Sequence, residues 1–168
     1  MTAADDAPID PLDFRRVLGH FPTGVTVVTA APDGEPQGMT VGSFFSISLD
    51  PPLVGLCADK RSTSWPRIDP AGVFAVNVLA DDQAHLSSHF ASKADDKFEG
   101  IEWRPGVTGS PILAGVVGHI DCRTEQSIDA GDHWIVVGRV VELDVDRETR
   151  PLLFFQGGYG RFEPVTAD

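Results

Sequence analysis

The sequence has little positive charge. Its 168 residues contain 13 Lys and Arg against 25 Asp and Glu, which gives a formal net charge of −12. A chain of this charge is repelled by nucleic acids and by anionic membrane surfaces, so neither is expected as a partner. Apolar runs of about 20 residues, which a membrane-spanning helix needs, are also absent. The start of the chain lacks the basic and apolar segments of a signal peptide, which predicts a cytoplasmic protein.

Cysteine is scarce as well. Cys57 and Cys122 are the only two, and each lies in an apolar run typical of a buried strand. A disulfide between them is possible, but no other feature indicates an oxidising compartment, and free cysteines are usually buried. We therefore expect two free, buried thiols.

The common nucleotide-binding loops are missing. Neither G-x-G-x-x-G nor G-x-x-x-x-G-K-[ST] occurs, so any nucleotide must be bound in another way. His85 and His89 have the i, i+4 spacing of helical metal ligands, but leucine follows His85 where a metalloprotease has glutamate. No metal site is therefore predicted, and an ordinary helix face explains the pair.

The few lysines lie in two short segments. Lys60 precedes Arg61 and three hydroxyl-bearing residues, and Lys93 and Lys97 follow together further along the chain. A short helix is predicted over 62–68, capped by the first or second hydroxyl residue, and a helix start beside cations favours an anion. The pattern fits either a phosphate site or cations scattered over a solvated surface.

Two further segments carry candidate chemistry. Residues 38–52 mix small, hydroxyl-bearing and apolar residues before a double proline, and glycine and serine leave room for a ligand to approach the backbone. His133 follows a hairpin-like connection predicted over 127–132. It either terminates that loop or, if it faces a pocket, donates a hydrogen bond or carries a proton near neutral pH.

The spacing of apolar residues predicts a mainly β domain. Strands are expected at 25–30, 44–49, 53–58, 73–79, 116–125, 134–145 and 152–155, and helices at 11–21, 62–68 and 81–90. About seven strands without regular βαβ alternation indicate an antiparallel barrel. This single domain is expected to span 10–163, between a mobile tail at 1–9 and a short one at 164–168.

Some local features of these elements are also predicted. Asp10 is expected to cap the first helix, and the helix at 81–90 should carry its acidic residues in the first turn. The strand at 44–49 alternates rings or aliphatic groups with serine, which predicts burial of one face. Residues 157–160 are expected to form a tight turn or coil.

Several of these segments occur together and in order in one known family. The chain resembles the flavin reductase components of two-component flavin monooxygenases over nearly its whole length, 14–162. The matching stretches are FPTGVTVVT (21–29), GMT through PP (38–52), FAVNVL (74–79), FA (90–91), DKF (96–98), AGDH (130–133) and GYGRF (158–162). The resemblance implies an FMN-binding split β-barrel that forms a homodimer, with the flavin pocket at the dimer interface.

The resemblance also implies a place for each site residue. The isoalloxazine ring and ribityl chain would lie along Met39, Thr40, Val41, Gly42, Ser43 and Ser46. The ribityl and phosphate part would be held by Cys57, Ala58, Asp59, Lys60, Ser62, Thr63 and Ser64. Phe90, Ala91 and Lys97 would close the flavin site from the other side, and the catalytic His133, with Tyr159 and Arg161, would serve the nicotinamide side.

The activity implied by the resemblance is reduction of free FMN or FAD by NADH or NADPH. Reduced flavin would then diffuse to a partner monooxygenase. Two alternatives stay open: a split-barrel protein that binds flavin without reducing it, and an enzyme similar to pyridoxamine-phosphate oxidases, for which no arginine-rich substrate site is evident. Gly42 stands where the family usually has asparagine, which leaves the choice between FMN and FAD open.

Overall fold

The structure, a computed structural model, describes residues 8–165. Most of the two predicted tails, 1–9 and 164–168, lies outside this range. The described chain is mainly antiparallel β with short helices, as predicted. Its elements are α1 (Pro11–Leu18), β1 (Thr23–Gly24), β2 (Thr26–Ala30), β3 (Gln37–Val41), β4 (Phe45–Leu49), β5 (Pro52–Asp59), α2 (Trp65–Ile68), β6 (Val73–Val78), α3 (Ala84–Ala91), β7 (Trp103–Pro105), β8 (Pro111–Leu113), β9 (Gly118–Ala130), β10 (His133–Val145), β11 (Leu152–Phe155) and β12 (Gly158–Arg161).

One antiparallel sheet of seven strands forms the centre, in the order β3-β2-β6-β9-β10-β5-β4. β2 lies inside this sheet, and all five of its residues are buried. Val28 packs with Phe74 in one core cluster, while Val27 packs with Phe90 in a second cluster. Successive residues of a strand point to opposite faces, so β2 is covered on both sides. This double burial explains why its sequence is an uninterrupted run without charge.

Asn77 fastens the segment around β8 to the central sheet. Its Nδ2 donates to Val27 O and to Thr29 Oγ1, each at 3.1 Å, and its Oδ1 accepts from the Leu113 N–H at 2.7 Å. Nδ2 also lies 3.3 Å from Pro111 O. Asn77 is fully buried, so water cannot replace these bonds.

The prediction that the strand at 44–49 is buried on one face is wrong. β4 is the edge strand of the sheet, pairs only with β5, and is irregular between Ser46 and Ser48. Four of its five residues are exposed. The Phe45 ring covers β5 at Gly55, where a Cβ would lie only 2.5 Å from it. An alternating pattern indicates which residues share a face, but not whether another layer covers that face.

Two segments predicted as connections are strands. β9 continues to Ala130 and β10 starts at His133, so Gly131 and Asp132 alone form the turn, with φ of +69° at Gly131. Residues 158–161 form β12, which pairs with β11. Glycine is a poor strand former by itself, and in β12 the ladder to β11 outweighs this preference.

The first helix is shorter than predicted and lies uncovered. α1 ends at Leu18, and Asp10 caps it as expected, since Asp10 Oδ1 accepts from the Leu12 N–H at 2.8 Å. None of the side chains of α1 is buried, although its apolar residues share one face. Among residues 8–165, no helix has the length and apolar character that a membrane span requires.

The acidic residues expected in the first turn of the third helix precede it instead. α3 begins at Ala84, and residues 80–83 form a turn. In this turn Gln83 Oε1 accepts from the Ala80 N–H at 3.0 Å, and the Gln83 N–H donates to Ala80 O at 2.9 Å. Asp82 pairs with Arg147 at 2.9 Å. The glutamine therefore fixes where the helix starts.

Both cysteines are free, as predicted. Cys57 is half-buried and Cys122 is fully buried. Burial, with a smaller contribution from the Asp121 carboxylate, raises the pKa of the Cys122 thiol to about 12. That thiol therefore stays protonated and serves as a small apolar core group.

Candidate active site

A groove between β3, the segment before α2, and α3 gathers many of the predicted site residues. It encloses about 270 Å³ and is called the β3–α3 groove below. The predicted residues on its wall are Met39, Thr40, Ser62, Thr63, Ser64, Phe90, Ala91 and Lys97. Three further lining residues are Arg61, Ser92 and Lys93. Arg61 and Lys93 belong to the cation-bearing segments that fit a phosphate site in the sequence, but none of the three is among the predicted flavin contacts.

Ser62 organises the segment that leads into α2. Its Oγ accepts from the N–H groups of Ser64 and Trp65, at 3.2 and 3.1 Å. This is the bonding expected of a helix cap, although α2 itself starts only at Trp65. Trp65 and Ile68 are buried and anchor the short helix to the core. The hydroxyl-rich segment is therefore a fixed wall of the groove.

Lys97 holds the groove together from inside the protein. Its Nζ donates to Phe90 O at 2.8 Å and to Ser64 Oγ at 2.9 Å, and lies 3.4 Å from Gly38 O. Lys97 is only 9% exposed, and burial lowers the pKa of its ammonium. Protein acceptors take the N–H groups of Lys97, so its ammonium ties α3, β3 and the segment before α2 together. These N–H groups are not presented to a ligand.

Arg61 and Lys93 bring positive charge to the wall of the β3–α3 groove. Arg61 pairs with Asp59 at 3.0 Å, and the hydrogen bonds of this pair raise the pKa of Arg61 and lower that of Asp59 to about 2. Within residues 8–165, Lys93 forms no ion pair. Arg61 and Lys93 thus bring two cations to the groove of an acidic protein in addition to the buried Lys97, which favours a phosphate ligand.

Lys60, by contrast, is engaged at the β9–β10 turn. Its Nζ lies 2.8 Å from Asp129 Oδ2 and 2.7 Å from Gly131 O. It also lies 4.7 Å from the centre of the Trp134 ring, within the range of a cation–π contact. In this arrangement the ammonium stabilises the turn, and the predicted contact of Lys60 with a flavin phosphate remains a prediction.

His133 lies beside the same turn, at the start of β10. Its Nδ1 contacts Asp132 Oδ1 at 2.7 Å, so Nε2 is the ring atom left for a ligand. Its ring is half-exposed. The hydrogen bond to His133 lowers the pKa of Asp132. In the sheet, His133 is the register partner of Asp59 on β5, which places the histidine next to the residue paired with Arg61.

A second cavity, larger and mostly apolar, lies between the end of α1 and the start of β4. It encloses about 650 Å³, and three predicted residues line it: Gly42, Ser43 and Cys57. Ser43 Oγ accepts from the Cys57 N–H at 2.9 Å and donates to Cys57 O at 3.0 Å. A Cβ at Gly42 would lie 3.2 Å from Thr23 Oγ1. The usual asparagine of the family would therefore need a small shift of that hydroxyl.

Tyr159 links the C-terminal hairpin to the groove through α3. Its hydroxyl donates to Ser87 Oγ at 2.9 Å, and Thr40 Oγ1 donates to Ser87 O at 2.7 Å. Tyr159 and Arg161 line a third cavity, of about 460 Å³. Ser87 of α3 therefore contacts both Tyr159, on the predicted nicotinamide side, and Thr40, on the predicted flavin side.

The other predicted residues do not line these cavities. Val41 and Ala58 are buried in the core, so neither offers a ligand an accessible surface in this chain. Ser46 is exposed on the edge strand β4. A single chain thus distributes the predicted residues over three cavities and the β9–β10 turn.

Comparisons with known proteins identify the family. Residues 18–163 match the flavin reductase like domain. A flavin reductase from Pseudomonas putida is 54% identical over 158 residues, which cover 94% of this chain and 93% of that protein. The crystal structure of nitrilotriacetate monooxygenase component B from Mycobacterium thermoresistibile has a TM-score of 0.88 at 46% identity, covering 94% of this chain and 90% of that one.

A third similar protein was solved with ligands. The NADH:FAD oxidoreductase of Streptomyces globisporus, in complex with NAD and FAD fragments, has a TM-score of 0.84 at 41% identity. The match covers 94% of this chain and 98% of that one. With a domain match over almost the whole described chain and relatives this similar, the chain belongs to the flavin reductase family.

Proposed function

We propose that this protein transfers a hydride from NADH or NADPH to free FMN or FAD and releases the reduced flavin for a partner monooxygenase. The observation that carries the proposal is the β3–α3 groove, where hydroxyl groups and the cations Arg61, Lys93 and Lys97 line one space. The names of the similar proteins support it, because they include a flavin reductase, an NADH:FAD oxidoreductase and a monooxygenase component. A cytoplasmic location, where both nucleotides are available, goes with this activity.

The residues of the groove fit a flavin nucleotide. Arg61 and Lys93 are placed to neutralise a phosphate, and the hydroxyls before α2 offer hydrogen bonds to it. The flavin supplies the hydride-accepting chemistry. The protein has to hold the two rings about 3–3.5 Å apart and aligned, and it needs no acid for the hydride itself. Backbone N–H groups of 43–46 are proposed to stabilise the charge that develops on the flavin as it is reduced.

His133 is proposed to orient the nicotinamide through Nε2, because Asp132 already engages Nδ1. His133→Ala is expected to lower kcat/KM for NADH about tenfold or more while the flavin dissociation constant stays within about twofold. NADH oxidation with FMN and with FAD, followed at 340 nm, measures the first quantity, and flavin fluorescence titration measures the second. His85→Ala, which removes an exposed histidine from α3, is the matched control. Full turnover by His133→Ala would remove the assignment.

We further propose a homodimer in which the second copy covers α1 and β4 and completes a split barrel. Several apolar side chains on these elements are left largely uncovered by the described chain: Leu12, Val17 and Leu18 of α1 are more than half exposed, and Leu49 of β4 is 97% exposed. The 650 Å³ cavity lies between the same two elements. A second copy seated there would enclose Gly42 and its neighbours, which supports a flavin pocket shared between subunits.

Introducing a charge on α1 is expected to break this dimer. Val17 is 55% exposed in the single chain, so Val17→Asp leaves the monomer intact but buries a carboxylate in the interface, which is strongly unfavourable. Sedimentation velocity should give about twice the 18.0 kDa chain mass for the wild type and the chain mass for the variant. Val107→Asp, on an exposed loop, should remain dimeric. A wild-type protein that is monomeric at micromolar concentration would refute the dimer.

A further inference from the structure

The β3–α3 groove continues beyond its hydroxyl-lined wall. Past Thr63, Ser64 and Lys93 it joins a smaller space of about 110 Å³, called the outer cavity here. These three residues and Lys97 line both spaces, so the two spaces adjoin each other. A space of this size holds several water molecules, and it therefore has room for a phosphate group.

Arg67 distinguishes the outer cavity from the groove, because it lines only the outer one. Its backbone N–H donates to Ser64 O at 3.0 Å, and it lies between the buried residues Trp65 and Ile68, so its position is fixed. Its side chain is half-exposed and lies 3.9 Å from the fully exposed carboxylate of Asp95. A long, exposed ion pair of this kind contributes little. The guanidinium is therefore available for a stronger anion.

The order of the cations along the two spaces matches an anion with two charged groups. Arg61 lines the groove, Lys93 lies where the two spaces meet, and Arg67 lines the outer cavity. A single phosphate in the groove needs only the first two. Arginine binds phosphate oxygens through two parallel N–H groups, a geometry that lysine does not offer.

We infer that the preferred flavin is a dinucleotide, whose first phosphate lies in the β3–α3 groove and whose second phosphate binds Arg67 in the outer cavity. The inference rests on the proposed function of the groove. The adenosine part continues towards solvent past Asp95, a fully exposed residue that lines the outer cavity. Arg67 is then the residue that selects FAD over FMN, which lacks the second phosphate.

The test compares three flavins, FAD, FMN and riboflavin, in the wild type and in Arg67→Gln. The wild type is expected to bind FAD about tenfold more tightly than FMN. In the variant, the affinity for FAD is expected to fall by that factor, while the affinity for FMN changes less than about twofold. Equilibrium titration of the oxidised flavins and steady-state NADH oxidation are both measured. Arg104→Gln removes an arginine that pairs with Asp146 outside both spaces, and it should leave both flavins unaffected.

The outcomes separate the inference from the proposed function. Equal binding of FAD and FMN by the wild type would overturn the inference, even if both are reduced. An equal loss of affinity for FAD and for FMN in Arg67→Gln would also overturn the inference, because Arg67 would then bind the phosphate that the two flavins share. Preferential FAD binding without NADH oxidation would support the inference on the ligand and refute the reductase activity.

Discussion

Replacing Lys97 with methionine is expected to lower the free energy of unfolding by about 2–3 kcal/mol and to weaken flavin binding about tenfold. Methionine fills the space of the lysine stem but leaves Phe90 O, Ser64 Oγ and Gly38 O without their donor. Each buried acceptor that loses its bond costs about 1–3 kcal/mol, and removal of a desolvated ammonium offsets only part of this. Denaturant unfolding followed by tryptophan fluorescence measures the stability, and flavin titration measures the binding.

The pH dependence of stability provides a second measurement on this variant. Burial lowers the pKa of Lys97 below 10.5, its usual value. Between the folded pKa and 10.5 the unfolded chain binds more protons, so this group makes stability rise with pH in that window. The stability it contributes is complete above 10.5 and is lost as pH falls through the folded pKa. Lys97→Met should lack this rise.

A matched substitution controls for the loss of a charge near the groove. Lys93 is exposed and lies on the same segment, so Lys93→Met is expected to change the free energy of unfolding by less than about 0.5 kcal/mol. If Lys97→Met were as stable as Lys93→Met, the hydrogen bonds of Lys97 would not be what holds the groove walls together.

Replacing Asn77 with leucine is expected to cost about 3 kcal/mol or more of folding free energy. Leucine is similar in size to asparagine, but it cannot accept the 2.7 Å hydrogen bond that the buried Leu113 N–H donates to Asn77 Oδ1. That N–H is left without an acceptor. It also removes the donor shared by Val27 O and Thr29 Oγ1. Because these bonds join β8 to β2 and β6, the midpoint of denaturant unfolding should fall and the β7–β8 segment should exchange its amide hydrogens faster.

An amide on the same sheet serves as the control for Asn77. Gln126 lies on β9 and is exposed, so Gln126→Leu should change stability by less than about 0.5 kcal/mol. If the two leucine variants were equally stable, Asn77 would not hold β8 to the sheet. Its position in the FAVNVL stretch would then need another explanation.

Elements whose pattern has a local cause were predictable. The run at 25–30 has no charged residue and proved to be a strand buried on both faces, and the cap of α1 by Asp10 followed from the chemistry of helix starts. The exposure of β4 and the strand β12 were not predictable, because both depend on neighbouring elements: no layer of the described chain covers β4, and β12 is held by β11. α1 is amphipathic as predicted, yet the layer its apolar face requires is absent from the described chain.

The candidate site shows the same division. Motif order assigned Met39, the hydroxyl run and Phe90 to one site, and all of them line the β3–α3 groove. Counting lysines indicated a positive cluster but could not tell which amines are free. The Lys97 ammonium is buried and bonded to Phe90 O, and the Lys60 ammonium is paired with Asp129 at the β9–β10 turn. Lys93 is therefore the accessible lysine on the groove. The signal in the sequence was the concentration of the few lysines in two short segments, one of which contains Lys93 and Lys97.

Ser87 has a consequence for how the protein can be shortened. The Ser87 hydroxyl accepts a hydrogen bond from Tyr159 of β12, and the Ser87 carbonyl accepts one from Thr40 of β3. α3 therefore supports both the end of the chain and the groove near its beginning. Thr40 and Tyr159, which are more than a hundred positions apart in the sequence, are therefore both positioned by Ser87. Trimming the C-terminal hairpin would therefore alter the β3–α3 groove as well as the chain end.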